Sequence, residues 1–174
     1  RASRHANEQL LFHGTSRGCL LGDEGKRARL CNLAECFLCC ILRNSFDIAK
    51  CGECLSPVLF GTGIYTTACS SKADDYITGV PGSSFRAVLV NRVVVGNPFT
   101  RQYNAEELNE PPTGYHSVVG EPGEALNYGE TVVYTNDAIR PAFLIVYATD
   151  VRPEVQIADL RSILSTLFKT PVIA

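Results

Sequence analysis

Short apolar runs, separated by polar and chain-breaking residues, predict strands more often than helices in this chain. β-Branched and aromatic residues concentrate in these runs, as they do in β-strands. The predicted strands lie at residues 8–15, 63–68, 85–99, 130–135 and 142–150. Gly96-Asn97-Pro98 is predicted to end the third of them. Residues 100–128 hold three prolines and three glycines, which predicts a long loop, and long loops in compact domains are often functional.

Helical periodicity is confined to a few segments. Residues 34–46 place apolar side chains three and four positions apart, which predicts a helix. Residues 70–76 predict a short helix, with Ser71 and Asp74 in the spacing of an N-terminal capping pattern. A third helix is predicted at about 155–168, where an apolar face could pack on this domain or contact a partner.

Strands therefore outnumber helices and do not alternate with them, which favours an α+β fold over a doubly wound one. The length of 174 residues suits one domain covering 1–174. Hydrophobic residues make up 45% and the net charge is −2, so no overall basic field attracts nucleic acid or anionic lipid. No apolar run reaches the roughly 18 residues of a membrane span.

The cysteines form a local cluster in the sequence, because seven of the eight lie between Cys19 and Cys54. Cys-x-x-Cys pairs begin at Cys36 and Cys51, and four thiolates suit a closed structural zinc site. Spacing alone favours the two pairs, Cys36, Cys39, Cys51 and Cys54, as the ligand set. The need to order the polar segment between Cys19 and Cys31 favours a different set, Cys19, Cys31, Cys36 and Cys39. Buried thiols and disulfides are the remaining alternatives.

Gly61-Thr62-Gly63 is the other distinctive feature. In a dinucleotide-binding fingerprint the glycines follow a strand and open a helix, whereas here they precede a predicted strand and Thr66 replaces the third glycine. No Gly-Lys-Ser or Gly-Lys-Thr is present, so a P-loop is excluded as well. The glycines are therefore interpreted as a turn that leads to Tyr65.

Three segments together carry a family resemblance. They are Phe-His-Gly-Thr-Ser at 12–16, the stretch from Gly61 through Tyr65 to Tyr76, and Glu-Thr-Val-Val-Tyr at 130–134. Their order and internal spacing resemble the catalytic domains of the poly(ADP-ribose) polymerase type. The likeness runs from about Leu10 to Tyr147 and includes His-Ser-Val-Val-Gly at 116–120. It is most similar to a fungal group with a cysteine-containing insert, here at about 19–54.

The resemblance implies a fold and a site. The fold would be two packed, mostly antiparallel sheets with few helices. His13, Tyr65 and Glu130 would be catalytic, Tyr65 and Tyr76 would enclose the nicotinamide ring, and Gly14 would hold its carboxamide. The residues implied to bind NAD are His13, Gly14, Thr15, Tyr65, Ser71, Lys72 and Tyr76. The insert of the similar group favours Cys19, Cys31, Cys36 and Cys39 as the zinc ligands.

The implied activity is NAD-dependent ADP-ribosyl transfer to an unknown acceptor, a protein rather than a nucleic acid, in an intracellular compartment. Transfer of a single unit is expected, because the region before Gly61 is short and no helical regulatory domain precedes the motifs. Many relatives carry serine where this chain has Ala73, which predicts one lost hydrogen bond to the carboxamide. An NAD- or ADP-ribose-binding module without turnover and an NAD glycohydrolase are the alternatives.

Overall fold

The computed structural model describes residues 6–25, 29–51, 59–123 and 126–149. The helix predicted at 155–168 and Cys54 lie outside these residues. The strands are β1 (Glu8–His13), β2 (Ile64–Thr66), β3 (Phe85–Val94), β4 (Pro98–Arg101), β5 (Ser117–Gly120), β6 (Glu130–Val133) and β7 (Ile139–Ala148). The helices are α1 (Phe37–Asn44) and α2 (Ser70–Asp74), with 3-10 turns at Ile48–Lys50 and Asn136–Ala138.

The first sheet has three antiparallel strands in the order β1-β3-β7. β3 is the central strand, and its residues from Ala87 to Asn91 are all buried, because one face meets the core and part of the other is covered by α2. A near-continuous Val/Leu run is what such a strand requires. β1 runs beside β3 so that His13 pairs with Leu89 at the end of the ladder.

The second sheet has four strands in the order β2-β6-β5-β4, and the β4–β5 pair is its one parallel pair. β3 ends at Val94, so the prediction that Gly96-Asn97-Pro98 ends the third strand is confirmed. Pro98 also begins β4, which is possible because β4 is an edge strand and an edge position tolerates the missing N–H. The prediction of a loop over 100–128 was wrong in part, because this segment contains the end of β4 and all of β5, whose Val118 pairs with Val132 of β6.

The predicted α+β class is confirmed, with two mostly antiparallel sheets and two short helices among the described residues. Leu11 and Leu89 of the first sheet share one core with Ile64 and Val133 of the second. α1 covers this core with Leu38, which is 1% exposed. No helix of the described residues is long and apolar enough to cross a membrane.

α2 lies on the outer face of the first sheet, where Ala73 and Ile77 pack against Val88. The predicted Ser71/Asp74 capping pattern is wrong. Cys69 is the residue that precedes the helix, and its side chain makes no capping hydrogen bond. Ser71 therefore lies inside the first turn, two positions after the capping residue, and cannot act as a cap.

Candidate active site

The ends of three strands bring His13, Tyr65 and Glu130 to the same edge of the molecule. Phe12 of β1 and Thr67 exchange two backbone hydrogen bonds of 2.8 and 3.0 Å, which join the first sheet to the residue after β2. The hydroxyls of Thr66 and Thr67 donate to the carbonyls of Thr131 and Gly129. These contacts fix the end of β2 on both sides, beside the residue that begins β6.

His13 is a half-buried side chain with a defined tautomer. Its Nδ1 lies 2.8 Å from the Tyr65 carbonyl oxygen, and a carbonyl can only accept, so Nδ1 carries the proton. Burial lowers the pKa of His13, and the bond to Tyr65 offsets this only in part. The ring is therefore neutral at pH 7, and Nε2 is left as a hydrogen-bond acceptor for a hydroxyl group.

Tyr65 is held rigidly by its phenol group. The hydroxyl donates to the Gly61 carbonyl at 2.9 Å and accepts from the Phe60 N–H at 2.9 Å. Burial raises the pKa of Tyr65 to about 12, despite the Phe60 N–H, and the charge of Glu130 acts in the same direction. Tyr65 is therefore neutral and contributes an aromatic ring in one orientation, not an acid or a base.

The turn before Tyr65 explains the Gly-Thr-Gly sequence. Gly61 has φ +67°, and a Cβ there would lie 1.6 Å from the Leu108 carbonyl oxygen. The next N–H, of Thr62, donates to that carbonyl at 3.0 Å. Glycine is thus required both by conformation and by close backbone contact. The interpretation as a turn leading into a strand is confirmed, since β2 begins at Ile64.

Glu130 and Lys72 form a partly enclosed ion pair. The Glu130 carboxylate is 6% exposed and lies 3.4 Å from the Lys72 ammonium. That ammonium also stands 5.2 Å from the centroid of the Tyr76 ring. Burial lowers the pKa of Lys72, but its contacts with Tyr76 and Glu130 outweigh burial and the net shift is upward. A fixed carboxylate beside a fixed cation and an exposed aromatic ring thus face the same space.

Gly14 is in close contact with α2. A Cβ at Gly14 would lie 1.8 Å from the Ala73 carbonyl oxygen and 3.2 Å from the Tyr76 Cβ. The sequence suggested glycine because a ligand could approach the bare backbone. The structure supplies a second reason, which is that β1 and α2 can meet here only without a side chain.

The remaining predicted NAD-binding residues lie just after β1 and on α2. Thr15 is half-buried and follows Gly14 directly, whereas Ser71 is exposed on α2. The Ser71 hydroxyl lies 3.1 Å from the Cys69 sulfur. The structure therefore places all seven predicted residues at or just after the end of β1, in β2, and in α2 or just after it. Their contacts with NAD stay a prediction.

A set of contacts that the sequence did not indicate holds α2 in place. Arg86 of β3 lies 2.8 Å from the Asp74 carboxylate and also donates to the carbonyls of Asp74 and Ile77. The Tyr147 hydroxyl donates to the same carboxylate. Arg86 thus satisfies carbonyls at the end of the helix that carries Lys72. No motif spacing signals this contact, because the three residues are far apart in sequence.

The cysteine cluster begins six residues after the end of β1. The sulfurs of Cys19, Cys31, Cys36 and Cys39 all lie within 4.8 Å of one another. Cys19 is 3.6 Å from Cys39 and 3.8 Å from Cys36, and a tetrahedral Zn–S₄ site with bonds near 2.3 Å has S–S edges of about 3.8 Å. Cys51 is not part of this cluster, and Cys54 lies outside the described residues. The structure thus brings together the predicted ligand set.

Buried Arg17 is a further residue that the sequence did not indicate. It is 3% exposed and donates to the Leu21 and Phe85 carbonyls and to Ser83, and it pairs with Asp23 at 2.7 Å. These contacts tie the start of the cysteine-rich insert to the start of β3. Arg17 is therefore a structural residue next to the site and has no contact with its aromatic rings or carboxylate in the hydrogen bonds described.

Two mostly antiparallel sheets and two short helices, among the described residues, form the ADP-ribosyltransferase-like fold. Residues 34–142 match the family described as the poly(ADP-ribose) polymerase catalytic domain. The chain therefore belongs to that family. The matched region includes Tyr65, Tyr76 and Glu130 and begins after His13, and the fungal subgroup stays a prediction.

A curated relative agrees with this assignment. Poly [ADP-ribose] polymerase 1 of Xenopus laevis is 31% identical over 114 residues, which is 66% of this chain and 10% of the frog protein. The chain thus spans about a tenth of that relative's length. At the family level, membership indicates an NAD-dependent ADP-ribosyltransferase.

The Ala73→Ser variant tests the one departure from the expected NAD-binding pattern. Ala73 is 1% exposed and packs against Val88 while its carbonyl lies against Gly14, so an added hydroxyl would have to turn from that apolar cluster toward the site. We expect NAD to bind about fivefold more tightly, as one net hydrogen bond of about 1 kcal/mol gives. Calorimetric titration measures this, with exposed Ala49→Ser as the matched control. Lower stability with unchanged affinity would show that the hydroxyl points into the Ile77–Val88 cluster instead.

Proposed function

We propose that this chain cleaves the bond between nicotinamide and ribose in NAD and transfers ADP-ribose to an acceptor. The observation that carries the proposal is the convergence of Glu130, Lys72 and Tyr76 in one space, next to the Tyr65–His13 hydrogen bond. Family membership supports the reaction type. The arrangement combines an acceptor for ribose hydroxyls, aromatic surfaces for a cationic ring, and a carboxylate for a cationic sugar.

NAD would bind along the β1–α2 junction. The nicotinamide ring is cationic until it leaves, and the rings of Tyr65 and Tyr76 suit such a group. Backbone groups of Gly14 would hold the carboxamide. His13 Nε2 would accept a hydrogen bond from a ribose hydroxyl, because its Nδ1 proton is already donated to Tyr65. Thr15, Ser71 and Lys72 would complete the contacts.

Glu130 would stabilise the transition state. As the C1′–N bond breaks, its electron pair moves to the nicotinamide nitrogen and the sugar becomes oxocarbenium-like. A carboxylate held in a partly enclosed site stabilises that charge more than it would in water. The acceptor nucleophile then forms the new bond at C1′, and its proton passes to Glu130 or to solvent. Neutral nicotinamide leaves without needing an acid.

We propose transfer of a single unit to a protein acceptor inside the cell, by one domain covering 1–174. Four glutamates between Glu106 and Glu121 are exposed in the described part of the 100–128 segment. They disfavour nucleic acid at this surface, because phosphates would be repelled. The predicted helix at 155–168 is a candidate contact for a further partner.

The reaction class is tested by following both products. Incubation with NAD should release nicotinamide and add the mass of ADP-ribose to a protein. Nicotinamide release without any adduct would favour the glycohydrolase instead, with water as acceptor. Binding of NAD without nicotinamide release would favour the binding module, which the Ala73 departure makes the second candidate.

We also propose that Cys19, Cys31, Cys36 and Cys39 hold a structural zinc ion. The donor set fits, since zinc prefers four thiolates at the corners of a tetrahedron and the sulfurs already lie within 4.8 Å of one another. A closed four-ligand site leaves no position for substrate, so the ion would supply stability and not chemistry.

Metal analysis of the purified chain tests the zinc site. We expect about one zinc ion per chain, and a clear loss of bound zinc in Cys36→Ser. The matched control is Cys40→Ser, because Cys40 is the neighbouring cysteine on α1 but lies outside the four-sulfur cluster. Equal zinc contents in the two variants would remove these four residues as ligands.

A further inference from the structure

The four-cysteine cluster is connected to the NAD site by α1 and by the segment that follows β1. Ser16 lies three residues after His13 and makes two hydrogen bonds to the start of α1. Its carbonyl accepts from the Leu38 N–H at 3.0 Å, and its hydroxyl donates to the Glu35 carbonyl at 3.1 Å. Glu35 and Leu38 stand on either side of Cys36 along the chain. Whatever fixes Cys36 therefore also fixes the peptide leading from Gly14 and Thr15.

The start of α1 lacks an ordinary cap. Cys36 occupies the capping position, but its side chain makes no capping hydrogen bond and belongs to the sulfur cluster. The N–H groups of a first helical turn need acceptors or nearby negative charge. Ser16 supplies one acceptor, and thiolates on a bound metal would supply the charge. The order of this turn thus depends on what the cluster holds.

A second contact reaches His13 from the other end of α1. The Phe46 ring meets the His13 ring edge to face, with centroids 5.1 Å apart. Phe46 is buried in the same core cluster as Cys36, Leu38 and Cys39. A shift of α1 would therefore displace the aromatic surface against which His13 is oriented, in addition to the Ser16 hydrogen bonds.

The segment between Cys19 and Cys36 is held by side-chain contacts and not by regular secondary structure. Among its described residues there is no helix or strand. Gly18 packs directly on Cys36, since a Cβ at Gly18 would lie 3.3 Å from the Cys36 Cβ. Arg17 holds the chain just before this point. A metal bridging Cys19 to Cys36 and Cys39 would close the remaining gap between the β1 end and α1.

We propose that zinc at Cys19, Cys31, Cys36 and Cys39 increases the affinity of this chain for NAD by holding His13, Gly14 and Thr15 in their binding geometry. The cysteines act as positioning residues and touch no substrate. The inference rests on the proposed NAD-binding function. Because coupling between two sites is reciprocal, bound NAD must tighten zinc binding by the same factor.

Calorimetry with a carbocyclic NAD analogue that cannot be cleaved tests the coupling. Zinc-loaded protein is compared with protein stripped by a chelator under reducing conditions, with far-ultraviolet circular dichroism to verify the fold. We expect at least a tenfold loss of affinity on stripping, restored when zinc is added back. Cys40→Ser should behave as wild type. Equal affinity in folded stripped and loaded protein overturns the coupling, whereas no binding by loaded protein overturns the proposed function itself.

A second variant covers the case in which stripped protein does not fold. Phe46→Leu keeps an apolar core side chain and all four cysteines but removes the ring that contacts His13. We expect this variant to retain zinc at the wild-type ratio and to bind the analogue at least fivefold more weakly. Wild-type affinity in zinc-loaded Phe46→Leu would overturn the proposed connection through α1.

Discussion

Replacing Glu130 with glutamine is expected to lower kcat for ADP-ribosyl transfer by about 100- to 1,000-fold, the range typical when one preorganised electrostatic group is removed. KM for NAD should change only by about two- to threefold, because the amide oxygen can still accept a hydrogen bond from a ribose hydroxyl. The loss falls on the transition state, since the carboxylate charge is most valuable when the sugar becomes cationic.

The structure indicates that this substitution removes the charge and leaves the neighbouring contacts in place. Glutamine is nearly isosteric with glutamate, and Glu130 is 6% exposed at the start of β6, where its backbone is paired with Gly120. The partner ammonium of Lys72 keeps its contact with the Tyr76 ring. Glu121→Gln, at an exposed glutamate, is the control for loss of negative charge alone. Nicotinamide release and adduct formation at wild-type rates in Glu130→Gln would refute the assigned role.

Gly14→Ala is expected to lose NAD binding and to destabilise the fold by about 2 kcal/mol, within the range for overpacking. The added methyl group would lie 1.8 Å from the Ala73 carbonyl oxygen. Backbone cannot rotate away as a flexible side chain can, so β1 and α2 must separate. Since α2 carries Lys72 and leads directly to Tyr76, the substitution opens the candidate site as it relieves the clash.

Thermal unfolding with and without NAD measures both effects. For a chain of this length we expect Tm to fall by about 4–8 °C, and NAD should give no further shift. Gly79→Ala is the matched control, because a Cβ at Gly79 meets nothing within 4 Å, and it should leave Tm within about 2 °C of wild type. A Gly14→Ala protein that NAD still stabilises as it does the wild type would contradict the proposed binding position.

The sequence predicted the strands that have strong apolar runs, and it predicted α1 from its periodicity. It failed at β4 and β5, since four-residue strands next to prolines and glycines have too little pattern, and a strand can begin at Pro98 only because β4 is at the sheet edge. Such features depend on which strands become neighbours. Local composition carries no information on that.

The order of the motifs predicted the candidate site, but it did not predict the residues that hold the site in place. Arg86 and Tyr147 fix Asp74 from 12 and 73 positions away in the chain. Arg17 is a buried cation whose partners include Ser83 and Phe85, over 60 positions later. Only the folded chain shows that these charges are paired. From the sequence alone each is expected to be a solvated surface residue.

The Phe12–Thr67 bridge and the β2–β6 ladder have a consequence for folding. β2 and β6 are separated by more than sixty residues, and β1 and β3 by a similar span, so the pairings that create the site are the non-local ones that form slowly. Neither half of the chain alone contains His13, Tyr65 and Glu130 together. The site therefore exists only in the completed fold. If NAD binds as proposed, NAD at a hundred times its Kd would accordingly stabilise the whole domain, and not one part of it, by about 2.7 kcal/mol.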